Sequence, residues 1–231
     1  MVNLLKKIKT KQFIILHSKA QFNLGSIYFY GIDVPKDIDR AIYYYTLSSD
    51  QNEMAAQEVL GFIFSSKKYG KYDLNKSFYY YNLAAKQNSA EALYHIGEFY
   101  HEGILFEQDL EKAIYYYTLS ADKQFVDAQL TLFILYFNKN SLFRNIDKAI
   151  HYLSCAANNG DSLAQYQLGL FYLVGNFVDK NINKGLLYLS RSAINRNIDA
   201  IFALGFLYHE GKYVDRNIFK AIHYYKEASS F

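Results

Sequence analysis

A repeat of 36 residues constrains this chain of 231 residues more than any other feature of its sequence. Seven columns recur with no slip in register, and in the first unit they are Ala20, Leu24, Gly25, Tyr28, Asp37, Arg40 and Tyr44. The alanine column, for example, holds Ala20, Ala56, Ala92, Ala128, Ala164 and Ala200. A fixed period of this length is the signature of a protein built from stacked structural repeats.

Each unit is predicted to form two helices. The apolar residues of its first half are spaced i, i+4, i+7 and i+8, as on one face of a helix. In the first unit they are Ala20, Leu24, Ile27 and Tyr28. The second half has the spacing i, i+3, i+4 and i+7, with Ile38, Ala41, Ile42 and Tyr45. No segment alternates as a half-buried strand would.

Residues that end and begin helices separate the two halves. Four glycines are predicted to end first helices, because glycine adopts the left-handed C-terminal conformation easily; they are Gly31, Gly103, Gly175 and Gly211. An Asp or Asn is predicted to N-cap each second helix by accepting a hydrogen bond from a free backbone N–H. This column holds Asp37, Asp73, Asp109, Asn145, Asn181 and Asn217. The second helices are predicted to end near Asn52, Asn88 and Gly160, which tolerate a left-handed turn.

Small and large columns predict how the helices pack. The alanine column and the Gly25 column are expected where helices approach closely, and the Tyr44 column is expected to fill the gap between units. A basic residue, Arg40 in the first unit, precedes each residue of the Tyr44 column by one helical turn. Its cation or its aliphatic stem is expected to lie on that tyrosine ring. Phe133 replaces the column's glycine in the fourth unit, where the helices are expected to splay or shift, and a tolerated repacking is favoured over a functional kink. Lys67 and Gly70 are expected to disturb the second loop.

These features predict an all-α fold, a right-handed α-solenoid (α-α superhelix) of about six helix-turn-helix repeats of 36 residues. The predicted units are residues 20–55, 56–91, 92–127, 128–163, 164–199 and 200–231. Residues 1–17 are predicted to form an N-terminal cap helix or partial repeat, with a short apolar stripe at Leu4, Leu5 and Ile8.

Composition and charge exclude several classes of protein. The net charge of +3 is too small to indicate nucleic acid binding by itself. Cys155 is the single cysteine, which excludes an internal disulfide framework and a cysteine-built zinc site. No apolar stretch approaches the length of a membrane span, so no membrane insertion is expected. The apolar run from Phe13 to Leu16 is too short for a signal peptide, and a cytoplasmic location is predicted.

Catalytic signatures are lacking in the sequence. His101-Glu102 and His209-Glu210 have no second histidine to complete a zinc protease helix. The sequence contains no glycine-rich phosphate loop and no Gly-x-Ser-x-Gly elbow. Cys155 lies beside two alanines in a predicted helix and is interpreted as a small packing residue. The chain is therefore predicted to be no enzyme and to need no cofactor.

The repeated pattern resembles the Sel-1-like repeat, a relative of the tetratricopeptide repeat. The resemblance rests on Ala-x-x-x-Leu-Gly-x-x-Tyr-x-x-Gly followed by Asp-x-x-Lys-Ala-x-x-Tyr-Tyr, and it is fullest in residues 92–121 and 200–228. It covers about residues 18–231, nearly the whole chain. The resemblance implies paired helices and a non-catalytic scaffold that binds protein partners.

The resemblance also assigns a concave groove to three columns of the first helices, which begin at Phe22, Ser26 and Phe29. The partner-binding residues predicted from it are Phe22, Phe29, Phe62, Tyr94, Glu98, His101, Leu130, Ile134, Phe137, Tyr166, Leu170, Phe202, Phe206 and His209. Because this strip is largely apolar and aromatic, it is predicted to bind an apolar-anchored peptide or helix. The alternative is that tight superhelical winding buries these side chains against neighbouring units.

The charged residues on and beside the strip are carboxylates, which favour a basic or neutral ligand. They are Glu58, Glu98, Glu102 and Glu210. The three columns contain no Lys or Arg, so a clamp for peptide carboxylates is not expected. Two other functions stay open. One is an adaptor in protein quality control at the endoplasmic reticulum, which would need an export signal, and the other is a helical-repeat RNA-binding protein.

The last predicted helix carries apolar residues that no later unit in this sequence would cover. They are Ile218, Ile222 and Tyr225. A protein or peptide partner, continuation into a longer chain, or assembly through this C-terminal face is therefore predicted.

Overall fold

The computed structural model describes residues 2–231, with side chains from residue 16 onward. This part contains twelve α-helices, one 3-10 helix and no strand. The first helices of the repeats are α1 (Val2–Tyr30), α3 (Met54–Ser65), α5 (Ala90–Glu102), α7 (Val126–Phe137), α9 (Ser162–Val174) and α11 (Ile198–Glu210). The second helices are α2 (Ile38–Ser49), α4 (Leu74–Lys86), α6 (Leu110–Ala121), α8 (Ile146–Asn158), α10 (Ile182–Ile194) and α12 (Ile218–Ala228). The prediction of an all-α repeat fold is confirmed.

The chain forms two compact units, one up to Ser120 and one from Ala121 onward. In the first unit, α1 runs without a break from Val2 to Tyr30, so the N-terminal segment continues directly into the first helix of the first repeat. The predicted stripe of Leu4, Leu5 and Ile8 lies outside the residues whose side chains are described. A capping role for this segment stays a prediction.

The loop between the two helices of a repeat is closed by two hydrogen bonds that recur in all six repeats. In the first repeat, Oδ1 of Asp37 accepts a bond from the N–H of Arg40, as an N-cap does, and the six equivalent bonds measure 2.9–3.1 Å. The N–H of Asp37 donates to the carbonyl of Tyr28 at 2.9 Å, and each equivalent bond has the same length. The predicted N-cap column is confirmed.

The second and fourth loops differ from the others, as Lys67 and Gly70 predict for the second. The second loop contains a 3-10 helix, Lys67–Tyr69, and ends it at Gly70 in the left-handed conformation. The fourth lacks a glycine and leaves α7 through Asn138. Both loops still close the same bond between the cap N–H and the preceding aromatic carbonyl, because the cap position is unchanged.

A tyrosine one position after the Tyr44 column fills the space between the two helices of a repeat. Tyr45, Tyr81 and Tyr117 are almost completely buried. A Cβ added to Gly97 would lie 2.6 Å from the Tyr117 ring, so the glycine column is what allows the ring to enter. The Tyr44 column is predicted for a different gap, the one between units, and the hydroxyl of Tyr188 in this column donates to Asn158 of the preceding repeat at 3.3 Å. One step along a helix rotates a side chain by about 100°, which is enough to move Tyr44 to the edge of the interface.

The Tyr44 column also stacks on the rings of the Tyr28 column. In all six repeats the ring centroids are 5.6–6.0 Å apart and the ring planes within 5° of parallel. The basic column lies over the same first-helix rings, with Arg40 Cζ 5.3 Å from the Tyr28 centroid and the lysine Nζ atoms at 4.8–5.3 Å in the other repeats. The predicted contact between cation and aromatic ring therefore exists, but with the Tyr28 column.

The fourth repeat accommodates Phe133 by a repacking of its two helices. Phe133 is buried, and Leu153 stands where the first three repeats have the buried tyrosine. The aromatic ring is therefore on the first helix of the fourth repeat, whereas it is on the second helix in the first three repeats. The stacked pair between the two helices keeps its spacing, since the centroids of Tyr136 and Tyr152 are 6.0 Å apart, the distance found in the fifth repeat.

Candidate partner-binding surface

In the first unit, the predicted strip is exposed in part. Phe62 on α3 is 44% exposed, while Phe22, Tyr94 and His101 are half-buried. Phe29 is only 7% exposed and does not belong to an accessible surface. The centroid of its ring is 5.3 Å from that of Tyr69. The 3-10 helix of the next repeat supplies this tyrosine, which is why the sequence of the first repeat alone did not predict the burial.

The half-buried strip residues of this unit rest on the buried tyrosines. Phe22 packs against Tyr45 with centroids 5.4 Å apart, and Tyr94 packs against Tyr117 at the same distance. The hydroxyl of Tyr45 donates a hydrogen bond to Ser26 Oγ at 3.1 Å. Burial raises the pKa of Tyr45. These contacts fix the strip residues on a core that they cover.

One side of α5 is acidic. Glu91, His95, Glu98 and Glu102 follow the spacing i, i+4, i+7 and i+11, which places them on one side of the helix. Nδ1 of His95 is 2.6 Å from Oε2 of Glu98, and its Nε2 is 3.9 Å from Oε1 of Glu91. The imidazole stacks on the ring of Tyr81, with centroids 4.6 Å apart.

Glu58 on α3 adds a further carboxylate to this region. It accepts a hydrogen bond from Ser89 Oγ at 2.5 Å. Burial raises the pKa of Glu58, and the negative charge of Glu91 acts in the same direction. Tyr81, 1% exposed, lies within electrostatic reach of Glu91, Glu98 and Glu58, and burial raises its pKa strongly. Its hydroxyl lies near Ser65, but it makes no hydrogen bond of ordinary geometry with any described residue.

In the second unit, exposed apolar side chains lie on α7 and α11. Ile134 is 62% exposed and Phe202 is 55% exposed, and Phe206 is exposed as well. The remaining predicted residues of this unit are half-buried: Leu130, Phe137, Tyr166, Leu170 and His209. Phe137 is partly covered because its ring packs against Phe177, with centroids 5.0 Å apart.

Two features were not predicted from the sequence. Exposed tyrosines on the second helices, Tyr43, Tyr79 and Tyr115, form a separate aromatic column directly before the Tyr44 column, and their recurrence was the available signal. The other feature is a column of buried glutamines. Gln165, for example, donates to the carbonyl of Ala157 in the preceding repeat at 2.9 Å and accepts from Asn195 at 3.1 Å.

The described residues show neither a metal cluster nor an activated cysteine. No group of three or more His, Cys, Asp or Glu side chains there is arranged to hold a metal ion. Sγ of Cys155 is 3.7 Å from Nε2 of His151, but burial raises the pKa of this thiol. An activated cysteine needs a lowered pKa, so this pair does not have the character of a nucleophile and its base. None of the described helices is long and apolar enough to span a bilayer.

Six helix pairs with a shared loop geometry and a recurring aromatic core define a helical-repeat protein. The family model described as Sel1 repeat matches residues 18–53, 55–89, 90–125, 126–161, 162–197 and 198–230. The chain belongs to the Sel1 repeat family. Proteins with these repeats are generally scaffolds for protein–protein interaction, and their fold is typically non-catalytic.

Solved structures with the same fold include bacterial relatives. A Sel1 repeat protein from Oxalobacter formigenes matches with a TM-score of 0.76 and 26% sequence identity over 92% of this chain and 87% of that one. The protective antigen c5321 of uropathogenic Escherichia coli, which has an SLR fold, matches with a TM-score of 0.71 and 27% identity over 92% of this chain and 46% of that one.

A third structure is more distant. The immunity protein Pa5087 from Pseudomonas aeruginosa matches with a TM-score of 0.51 and 17% identity over 92% of this chain and 81% of that one, a similarity of fold alone. A search of curated protein sequences found no significant match.

Proposed function

We propose that this protein is a non-catalytic scaffold or adaptor that binds a peptide or helix of a protein partner along the strip of first-helix residues. The observation that carries the proposal is the exposure of large apolar side chains at positions of this strip in both units. They are Phe62, Ile134, Phe202 and Phe206. Exposed apolar residues that recur in equivalent positions are typical of interaction surfaces.

The way in which the strip residues are held also supports this proposal. Binding a partner is less costly when the side chains that contact it are already ordered. Phe22 and Tyr94 rest on buried tyrosines, and Phe62 contacts Tyr69 with ring centroids 5.8 Å apart. Aromatic side chains fixed in this way are suited to act as anchors for apolar residues of a partner.

Site-specific photocrosslinking tests the proposal. Benzoylphenylalanine is introduced in place of Phe62 or Phe202 on the strip, and in place of Tyr79 or Tyr115 on the second helices as matched exposed controls. The full chain is illuminated in its native cell extract, and crosslinked proteins are identified by mass spectrometry. We expect one protein to crosslink at the strip positions and not at the controls. Equal crosslinking at both sets, or crosslinking at the controls alone, would contradict the proposal.

The two alternative functions receive no support from the described residues. An RNA-binding face would be expected to carry Lys or Arg side chains for the phosphates. The strip of the first unit instead has Glu58 and Glu98 among its residues, with Glu91 and Glu102 beside them. No observation favours an adaptor of the endoplasmic reticulum, and the cytoplasmic location stays a prediction.

A further inference from the structure

The acidic side of α5 and the neighbouring residue of α3 form a group of carboxylates that lacks cationic partners. Glu58, Glu91 and Glu98 are all within electrostatic reach of the Tyr81 ring. In the part of the chain whose side chains are described, no salt bridge joins any of them to a Lys or Arg. A histidine ring lies between two of them, since His95 contacts Glu98 at 2.6 Å and Glu91 at 3.9 Å.

Such a group is unfavourable in the unbound chain. Carboxylates that are partly withdrawn from water and close to one another disfavour each other's ionisation. The raised pKa of Glu58 is consistent with this, because burial is its main cause and Glu91 adds to it. A cation placed among these side chains would therefore gain more than a cation beside a single exposed carboxylate.

A second, independent observation points to a missing polar partner at the same place. The hydroxyl of Tyr81 is buried and lacks a hydrogen bond, although buried polar groups are nearly always paired. The ring of Tyr81 stacks on His95, the side chain that contacts both Glu98 and Glu91. Two apolar strip residues, Phe62 on α3 and Tyr94 on α5, belong to the same pair of first helices.

We infer that α3 and α5 bind a segment of a protein partner in which a basic side chain, Arg or Lys, is next to an apolar one. The cation lies among Glu58, Glu91 and Glu98, and the apolar side chain packs against Phe62 and Tyr94. This inference rests on the proposed function and adds the chemistry of the partner to it. Acidic segments and phosphorylated segments are excluded as ligands of this region, because the same carboxylates would repel them.

Peptide selection on the full chain tests the inference. A random 12-residue peptide library displayed on phage is selected on the immobilised protein, and the enriched peptides are synthesised for measurements of affinity by fluorescence anisotropy. We expect enriched peptides to contain Arg or Lys beside an aromatic or aliphatic residue. Their affinity should fall with rising salt concentration, as expected for charge pairs near the surface.

Two double variants separate the carboxylates of this region from charge in general. Glu58→Gln with Glu98→Gln removes two of the three carboxylates, whereas Glu107→Gln with Glu111→Gln removes two exposed carboxylates elsewhere in the same unit. We expect the first variant to bind the selected peptides about tenfold more weakly and the second to bind them as the native chain does. Glutamine is similar in size and can still accept the bond from Ser89. Thermal melts of both variants check that they fold.

Several results would overturn the inference, and a further variant separates it from the proposed function. Enriched peptides without basic residues, equal affinity for the Glu58/Glu98 variant, or no enrichment at all would overturn the inference. A third variant, Phe62→Ala with Tyr94→Ala, separates it from the proposed function. Peptides that lose affinity for this variant but not for the Glu58/Glu98 variant would overturn the inference and support the apolar strip. Peptides that need the carboxylates but bind the alanine variant unchanged would contradict the apolar strip instead.

Discussion

Because glycine has no Cβ, Gly97 leaves room for a tyrosine ring between the two helices of the third repeat. Gly97 on α5 faces the ring of Tyr117 on α6, and an added Cβ would lie 2.6 Å from that ring. The Tyr117 ring is almost completely buried and cannot move aside without disturbing its neighbours. The fourth repeat reverses the arrangement, with Phe133 on the first helix and Leu153 on the second, so no repeat has a ring at both positions.

We therefore expect Gly97→Ala to destabilise the protein by about 1–2 kcal/mol, because overpacking of a dense core outweighs the better helix propensity of alanine. In a Tyr117→Leu background the ring is gone, and the same substitution should be neutral or stabilising. Urea denaturation of the native chain, the two single variants and the double variant gives the coupling energy of the pair. Additive effects would contradict this account of the glycine column.

The burial of Glu58 has a consequence for stability at different pH values. A carboxyl group whose pKa is raised by folding binds its proton more tightly in the folded state, so its contribution to stability is lost as the pH rises through the folded pKa. Glu58→Gln does not titrate and can keep the hydrogen bond from Ser89. The variant should have a higher Tm than the native chain at pH 7.

At pH values below the ordinary Glu pKa of about 4.3, the Tm difference should disappear, because the native carboxyl is then neutral in both states. Circular dichroism melts of both proteins across this range check the prediction, with Glu107→Gln as an exposed control. A variant that is less stable than the native chain at pH 7 would show that the charged form of Glu58 stabilises the fold.

At the scale of the element, the loop within each repeat is defined by its cap and tolerates variation elsewhere. The second loop has a 3-10 helix and the fourth has no glycine, but both close the same bond from the cap N–H to a first-helix carbonyl. The cap side chain in turn holds the first free N–H groups of the second helix. Loop composition is therefore less restricted than the Asp/Asn column.

Asn145→Ala should destabilise the protein by about 1 kcal/mol, since Asn145 Oδ1 accepts the N–H of Lys148 at 3.0 Å and no other side chain replaces this cap. Asn145→Asp should retain most of the stability, because aspartate caps the equivalent helices of the first three repeats. Thermal denaturation of the two variants distinguishes loss of the cap from a general effect of substitution. Equal losses in both would contradict the assigned role.

At the scale of the whole molecule, the same column is buried in some repeats and exposed in others. Ala20 and Leu24 on α1 are exposed, whereas the equivalent Ala92 and Ile96 on α5 are buried. On α12, Ala221 is the one buried residue among those described. In repeat proteins each unit is stabilised mainly by its neighbours, so helices with uncovered faces open more easily.

Hydrogen–deuterium exchange should follow this difference in burial. We expect residues 16–30 of α1 and all of α12 to exchange faster than α5 and α9, whose equivalent columns are buried. Mass spectrometry of peptic fragments measures the exchange of each helix. Uniform protection from α1 to α12 would contradict the expectation and would indicate that the exposed faces are covered in solution.

The sequence by itself determined the helix pairs, their caps and the family, because each depends on local spacing that recurs six times. Periodicity identifies the face of a helix that is buried. It does not show which of two adjacent residues at the edge of that face is buried more deeply. For this reason the sequence did not assign Tyr45 to the space between the two helices of its repeat. The contact between the basic column and the Tyr28 column depends likewise on how the two helices of a repeat cross.

The tertiary structure alone decided which strip residues are accessible to solvent and which carboxylates lie close to one another. Phe29 is buried because Tyr69 comes from another repeat, and Glu58 comes within electrostatic reach of Glu91 because it accepts a hydrogen bond from Ser89 at the start of the next repeat. Contacts of this kind join residues that are distant in sequence. Their geometry is set by the packing of complete helices, and the spacing of residues along one helix carries no information about it.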